Sequence, residues 1–268
     1  MITFMFWNLH EAAWSLRAGD DKQWRKQVEV VRRHRPDVLA VTEGWDWHLD
    51  DRRLFRRALA DFGYPAGELY QAKTTCDMAV MWRDGIELVE RRDQPHEQAL
   101  WHGWMRVALQ LPGQPEPFVL MVAHLNPFDP TLRRIEGSFL RVWMEQTRSG
   151  LLVMDANSAA PGDPEPEPHP SRNLPGEEIG DRTPGELLAQ SGLIDVAASR
   201  SDRRPTYGFF AATGPAPAPI RIDQAWATPG VDVVDYRVLD SDLVDPEIDT
   251  ASDHRPIRVT IRPDGGRQ

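Results

Sequence analysis

The chain has a single cysteine in 268 residues, Cys76, so it can form no intramolecular disulfide framework and no metal centre built from several thiolates. It also lacks a long apolar run. Nothing approaches the ~20 residues needed to span a bilayer, and the apolar start Ile2–Trp7 has no basic flank and is too short for a signal core. The expectation is a cytoplasmic protein with no membrane span and no obligate protein partner evident. Positive charge is in deficit too: 31 basic side chains face 41 acidic ones, a net charge of −10. Taken alone, that balance argues against a nucleic-acid partner, because phosphate binding is driven by clustered Lys and Arg. There is no internal repeat at solenoid periods.

What the sequence does have is length enough to bury roughly 70–75% of the unfolded surface, hence a substantial core. Ile2–Asn8 reads as a buried strand ending at the polar pair Asn8 and His10. Asp20 or Asp21 caps a helix with Trp24, Val28 and Val31 on one face, ending before Pro36. Val38–Val41 is a short strand running into Thr42 and Glu43, and a second helix follows Asp50 and Asp51 with Leu54, Ala58, Leu59 and Phe62 on its apolar side. Met78–Trp82, Ile86–Glu90, Trp104–Leu111 and Phe118–Leu125 are β-rich runs separated by Gly and Pro, the pattern of antiparallel hairpins. Asp129-Pro130 opens a helix whose predicted apolar stripe is Leu132, Ile135, Phe139 and Val142. Leu151–Met154, Ile220–Trp226, Val231–Leu239 and Pro256–Ile261 complete the strands, and Thr183-Pro184 opens a short helix.

Residues 161–186 hold seven prolines and seven acids, a composition that excludes helix and strand. The expected organisation is one domain over 1–268 with a Pro/acid-rich loop at 158–184. That loop begins just after Asn157, which suggests a flap beside the site. The alternation of elements predicts an α/β protein whose sheets pack on each other with helices outside.

Polar residues of a functional type fall at strand ends: Asn8, Glu43, His124, Asp155 with Asn157, Asp223, and Asp253 with His254. If these ends converge, carboxylates crowd one rim. Carboxylates that close repel unless they share a proton or a cation, and an oxygen-rich carboxylate and carboxamide set suits a hard divalent ion, Mg²⁺ or Mn²⁺.

The order of the local motifs is more specific than any of them singly. WNLH around Asn8, VTE ending at Glu43, AHLNP around His124, MDAN at Asp155–Asn157, TY at Thr206-Tyr207, RID at Arg221–Asp223 and SDH at Ser252–His254 together resemble the endonuclease/exonuclease/phosphatase superfamily, the deoxyribonuclease-I-like fold, over residues 2 to about 261. The resemblance implies a four-layer α/β/β/α sandwich of two mixed, largely antiparallel sheets with helices outside. It implies metal-dependent hydrolysis of a phosphoester, with nucleic acid or another phosphoester as substrate. By the same resemblance Glu43 is the principal metal ligand, with Asn8 and Asp253 completing the coordination directly or through water. Asp155 activates the attacking water, Asn157 donates to a phosphoryl oxygen or the nucleophile, and His254 binds a non-bridging oxygen with Asp223 fixing its tautomer. His124 contacts the phosphate from the other side. Two positions depart from the family pattern: Met154 stands where a glycine usually precedes the Asp, and Ala156 replaces a bulky residue.

The leading expectation is a nuclease, with a phosphatase or phosphodiesterase of small or lipid-derived phosphates (an inositol phosphate, a nucleotide) as the alternative. A catalytically silent binding module would have lost these carboxylates, and none is lost. Among ten tryptophans, Trp7, Trp24, Trp82 and Trp143 read as core, while Trp45 and Trp47, just after Glu43, are the substrate-contact candidates. Cys76 reads as an inert small residue, and Tyr207 as packing beneath the site. The acidity is also localised: residues 232–253 hold eight acids against one arginine, whereas Arg17–Arg57 holds eleven basic against eight acidic residues. A polyanionic substrate is therefore not excluded by the net charge.

Overall fold

A computed structural model describes residues 1–93, 100–165, 180–209, 219–241 and 245–263. Its first sheet contains β1 (Ile2–Asn8), β2 (Val38–Trp45), β3 (Ala66–Tyr70) and β4 (Cys76–Trp82). The second is built from β5 (Glu87–Asp93), β6 (Gly103–Gln110), β7 (Phe118–His124), β8 (Gly150–Asp155), β9 (Ile194–Asp195) and β10 (Asp223–Ala227). The last two strands, β11 (Asp232–Val238) and β12 (Ile257–Arg262), return to the first sheet. The helices are α1 (Ala12–Arg17), α2 (Lys22–His34), α3 (Leu49–Phe62), α4 (Pro130–Glu145), α5 (Thr183–Gln190), α6 (Val196–Ser199) and α7 (Ile248–Ala251).

The two sheets have six strands each, in the orders β11-β12-β1-β2-β4-β3 and β5-β6-β7-β8-β10-β9. Each contains one parallel pair, β1 with β2 and β7 with β8, joined by a helical crossover, as parallel neighbours require; the other pairs are antiparallel. Side chains alternate along each central strand, and both sets are buried. Phe4 and Phe6 enter the layer between the sheets with Val80, Val107, Leu120 and Val153, whereas Met5 and Trp7 face outward against Trp24, Val31 and Phe55 of α2 and α3. On the far side Met121, Leu152 and Met154 pack against Leu140, Met144 and Leu188 of α4 and α5. The result is the α/β/β/α sandwich, and burial of both strand faces explains why the strands read as continuous apolar runs.

Three expectations need correction. The start of α4 is as predicted, Asp129 accepting the N–H groups of Thr131 and Leu132, but its buried face is Arg133, Glu136, Gly137, Leu140 and Met144. Ile135 and Val142 are exposed. The helix turns its small and ionic residues inward because Gly137 meets Pro184 of α5 and Glu136 satisfies two loop amides, contacts that an apolar count does not register. Strands β3 and β9 and helices α1, α6 and α7 are additions to the elements expected from sequence. Trp47 is fully buried against Trp24 and Phe55, so it is core and not a substrate contact.

The ends of the Pro/acid-rich loop are tied together: Arg182 donates to the carbonyls of Asp163 and Pro164, and buried Arg221 pairs with Asp163 and Asp195. Of the expected flap at 158–184, residues 166–179 lie outside the described residues. Among the described residues, no helix is long and apolar enough to cross a membrane.

Candidate active site

Strand register builds half of the site. His124 of β7 is paired with Asp155 of β8, and Asp155 with Asp223 of β10, so three ionisable side chains lie in one row across adjacent strands. His124 Nε2 is 3.4 Å from Asp155 Oδ2. The first sheet supplies the facing half. Asn8 ends β1, and the β2 ladder breaks between Val41 and Gly44, where Glu43 takes a φ of 61°. The break lifts Glu43 out of the ladder, and its carboxylate accepts Asn8 Nδ2 at 3.0 Å and the Glu11 N–H at 3.0 Å. Non-glycine residues at positive φ cost energy and cluster at functional sites; His10, Glu11, Glu43 and Asn157 are all of this kind.

Asn8 joins the halves. Its Nδ2 also donates to Asp155 Oδ2 at 2.9 Å, while its Oδ1 accepts the His10 N–H at 3.0 Å. Asp155 Oδ1 accepts the N–H of Asn157 at 2.9 Å, and Asn157 Nδ2 donates one hydrogen to the Leu125 carbonyl at 3.0 Å, leaving the other available. Met154, where the family has glycine, points into the outer core and leaves this geometry intact.

His254 sits at the Asp223 end of this row. Its Nδ1 is 2.8 Å from Asp223 Oδ2, and its Nε2 lies 3.8 Å from Asp155 Oδ2 and 3.9 Å from Asp253 Oδ1. Burial works to lower the pKa of the ring, but the charges of Asp223 and Asp253, the hydrogen bond to Asp223 and the charge of Asp155 outweigh it together, so His254 titrates well above the ordinary value. The surrounding carboxylates thus favour the protonated ring. The supports are specific: Thr206 Oγ1 accepts the N–H groups of Ile222 and Asp223, and Ser252 Oγ donates to the Asn8 carbonyl while accepting the His254 N–H. Tyr207 packs its ring 4.9 Å from that of His254. Asp253 reaches His10 Nδ1 at 3.1 Å; burial would raise its pKa, but the charge of His254 and the hydrogen bond from His10 hold it below the usual carboxylate range.

All eight predicted residues thus meet at one rim. Four carboxylates, Glu43, Asp155, Asp223 and Asp253, converge there among imidazoles and amides, and Asp155, Asp223 and His254 each bring a donor atom within 4.8 Å of the others. This donor chemistry fits a divalent cation. Cys76, His102 and His124 form a second such grouping. There, however, the two imidazoles are stacked, ring centres 4.1 Å apart and planes 19° from parallel, so their in-plane lone pairs run side by side and do not converge on one ion. Cys76 is buried and its thiol is pushed well up, first by burial and then by the charges of Glu43 and Asp77, in keeping with an inert residue. Asp77 is likewise structural, accepting the N–H groups of Ala72 and His48.

Sequence reasoning assigned no role to His10, Glu11 or His102. His10 lies within the WNLH motif, but a histidine before a glycine, as at 102–103, carries no motif signal. Of the tryptophan candidates, Trp45 borders the site, its indole N–H 3.4 Å from Glu43 Oε2.

The Endonuclease/Exonuclease/phosphatase family model matches residues 5–254. No curated protein matches the chain by sequence. Among solved structures, the chain is similar to a mannosyl-6-phosphatase of Bacteroides thetaiotaomicron VPI-5482, with a TM-score of 0.67 at 16% identity over 98% of this chain and 100% of that one. It is similar to D. rerio TDP2 complexed with single strand DNA product, with a TM-score of 0.68 at 14% identity over 97% and 98% of the two chains. A third is the human Nocturnin catalytic domain with bound sulfate anion, with a TM-score of 0.64 at 16% identity over 97% and 93%. At such identities the likeness speaks for the fold. The family model spans the strand ends that bear the carboxylate and imidazole rim, and on that match the chain belongs to the endonuclease/exonuclease/phosphatase family, a superfamily of phosphoester hydrolases.

Proposed function

We propose that the chain is a Mg²⁺- or Mn²⁺-dependent phosphodiesterase, a nuclease, that works by in-line attack of a water activated by Asp155. The observation that carries this reading is the row His124, Asp155, Asp223, with His254 hydrogen-bonded at its end and Glu43, Asn8 and Asp253 facing it. Phosphoryl transfer needs an aligned nucleophile, positive charge over the equatorial oxygens and fixed donors, and this set offers each.

Asp155 is held on both oxygens, by Asn157 N–H and by Asn8 Nδ2, and so presents a fixed carboxylate to take a proton from water. Protonated His254 donates from Nε2 to a non-bridging oxygen, its Nδ1–H anchored on Asp223. The second amide hydrogen of Asn157 is available to another phosphoryl oxygen. His124, 3.4 Å from Asp155, would contact the phosphate from the side away from His254 and help the leaving oxygen depart. Glu43, Asp253 and Asn8 would hold the divalent ion, which when bound supplies positive charge over the phosphoryl group and offsets the carboxylates.

A second reading, hydrolysis of a small phosphate, is favoured by the net charge of −10. Salt separates the two, because a polyanion loses affinity steeply with added salt and a small ester much less. The test is a chelator-controlled panel with Mg²⁺ or Mn²⁺ over single- and double-stranded DNA, abasic DNA, RNA, inositol phosphates and nucleotides. Metal-dependent turnover that vanishes in Asp155→Asn and His254→Ala supports the mechanism, and turnover untouched by both substitutions defeats it.

A further inference from the structure

Beside His124 the surface carries an aromatic pair that the chemistry above does not use. Trp101 and Phe128 have ring centres 5.6 Å apart and planes at 88°, and both are exposed, at 36% and 54%. Adjoining exposed apolar side chains mark a binding surface more often than scattered single ones do. These two are held. Glu136, buried on α4, accepts the Trp101 N–H on one oxygen at 2.8 Å and the Asn126 N–H on the other at 2.6 Å. Asn126 Oδ1 in turn accepts the N–H groups of Phe128 and Asp129, so one carboxylate and one carboxamide fix both loops.

The pair is continuous with the candidate site. The ring of Trp101 meets His102 edge-on at 6.2 Å, His102 stacks on His124 at 4.1 Å, and His124 faces Asp155. Burial, then the charge of His124, then that of Lys73 push the pKa of His102 well below the ordinary value. The charge of Lys73 also bears on Glu136, which puts a cation on the same flank.

We propose that Trp101 and Phe128 form a subsite for the nucleobase of a nucleotide whose phosphate lies between His124 and His254. The inference deepens the phosphoesterase reading and rests on it. Two perpendicular rings form a corner. A flat heteroaromatic ring stacks on one face and turns its electropositive N–H and C–H edge to the other face, a geometry that a π-system satisfies better than a puckered sugar or an acyl chain. The pair seats one nucleobase, that of a nucleotide or of a single residue in a nucleic-acid strand.

The probe pair is adenosine 5′-monophosphate and ribose 5-phosphate, which differ at C1′, where the second carries a hydroxyl in place of the base. Their binding to the Mg²⁺-loaded protein is measured by calorimetry in the Asp155→Asn background, so that neither is consumed. The nucleotide is expected to bind on the order of tenfold more tightly than the sugar phosphate. Trp101→Ala and Phe128→Ala should remove that advantage while leaving ribose 5-phosphate binding as it was, and Trp101→Phe should restore most of it. Both side chains are at the surface, so the variants keep the parent melting temperature. Equal affinity for the two probes overturns the inference, as does an equal loss for both in the variants, which would mean a sugar platform. Hydrolysis of any phosphoester that depends on Asp155 keeps the broader reading standing when the base preference fails, and absence of all such hydrolysis removes that reading itself.

Discussion

At the scale of single residues, the candidate site depends on groups whose partners are already in place before substrate arrives. Asp155 has its two oxygens engaged by different elements, and His254 is fixed at Nδ1 by Asp223, whose own backbone N–H is bonded to Thr206. Preorganised groups of this kind are worth about 3–4 kcal/mol of barrier each. His254→Ala is therefore expected to lower kcat on the order of 10²–10³-fold with a smaller effect on KM, since the charge it meets develops in the transition state. Asp155→Asn removes the proton acceptor but keeps one oxygen for hydrogen bonding, so it should lower kcat at least as much while the folded state persists by circular dichroism. A loss expressed in KM alone would contradict both roles. These residues were legible in sequence because their motifs occur together and in order at or beside the ends of apolar strands, whereas each alone reads as a turn residue or an ordinary ion pair. Trp47 misled for the converse reason: proximity to Glu43 along the chain says nothing about direction, and three residues past a break in the β2 ladder its ring has turned into the core.

At the scale of elements, the strands were easier to read than the faces of the helices. A strand buried on both sides is an apolar run, whereas α4 buries Arg133 and Glu136 because it braces loops from beneath. Periodicity alone misplaced half of that helix's stripe: Phe139 packs against the core, but Ile135 and Val142 are exposed. The same feature gives a pH dependence. Burial, opposed by the hydrogen bonds from the Trp101 and Asn126 amides and the charge of Arg133, pushes the Glu136 carboxyl up from its ordinary 4.5 to about 7. Between those values the folded state keeps a proton that the unfolded chain has released. Stability contributed by this group is thus complete below pH 4.5, falls as pH rises to about 7 and is level above it. Glu136→Gln should flatten that part of the stability profile. It should also cost about 1–3 kcal/mol at acid pH, because one backbone N–H then faces an amide NH₂. Urea melts at pH 5 and pH 8 measure both effects, and an unchanged slope in the variant would show that another group titrates there.

At the scale of the whole molecule, the two sheets are held by an apolar layer, while their shared rim gathers like charges. Glu43, Asp155, Asp223 and Asp253 come from β2, β8, β10 and the loop before β12, so folding forces together carboxylates that the unfolded chain keeps apart. Part of their repulsion is relieved by His10, His124 and His254, and a bound divalent cation would relieve more. Mg²⁺ should therefore stabilise the fold by mass action, by about 2.7 kcal/mol at a concentration a hundredfold above Kd. For a chain of this size each kcal/mol moves Tm by roughly 2–4 °C. Glu43→Gln separates the two contributions. It leaves one of the Asn8 and Glu11 donors facing an amide NH₂ but deletes one negative charge, and the two effects oppose, so in the presence of chelator its Tm should stay close to that of the parent, while the rise on adding Mg²⁺ should shrink sharply. Arg53 on α3 pairs with exposed Asp50, so Arg53→Gln serves as the control and should leave both values as they were. If Glu43→Gln melts lower without metal and gains as much from Mg²⁺ as the parent does, the rim is an ordinary hydrogen-bonded network and the cation binds elsewhere.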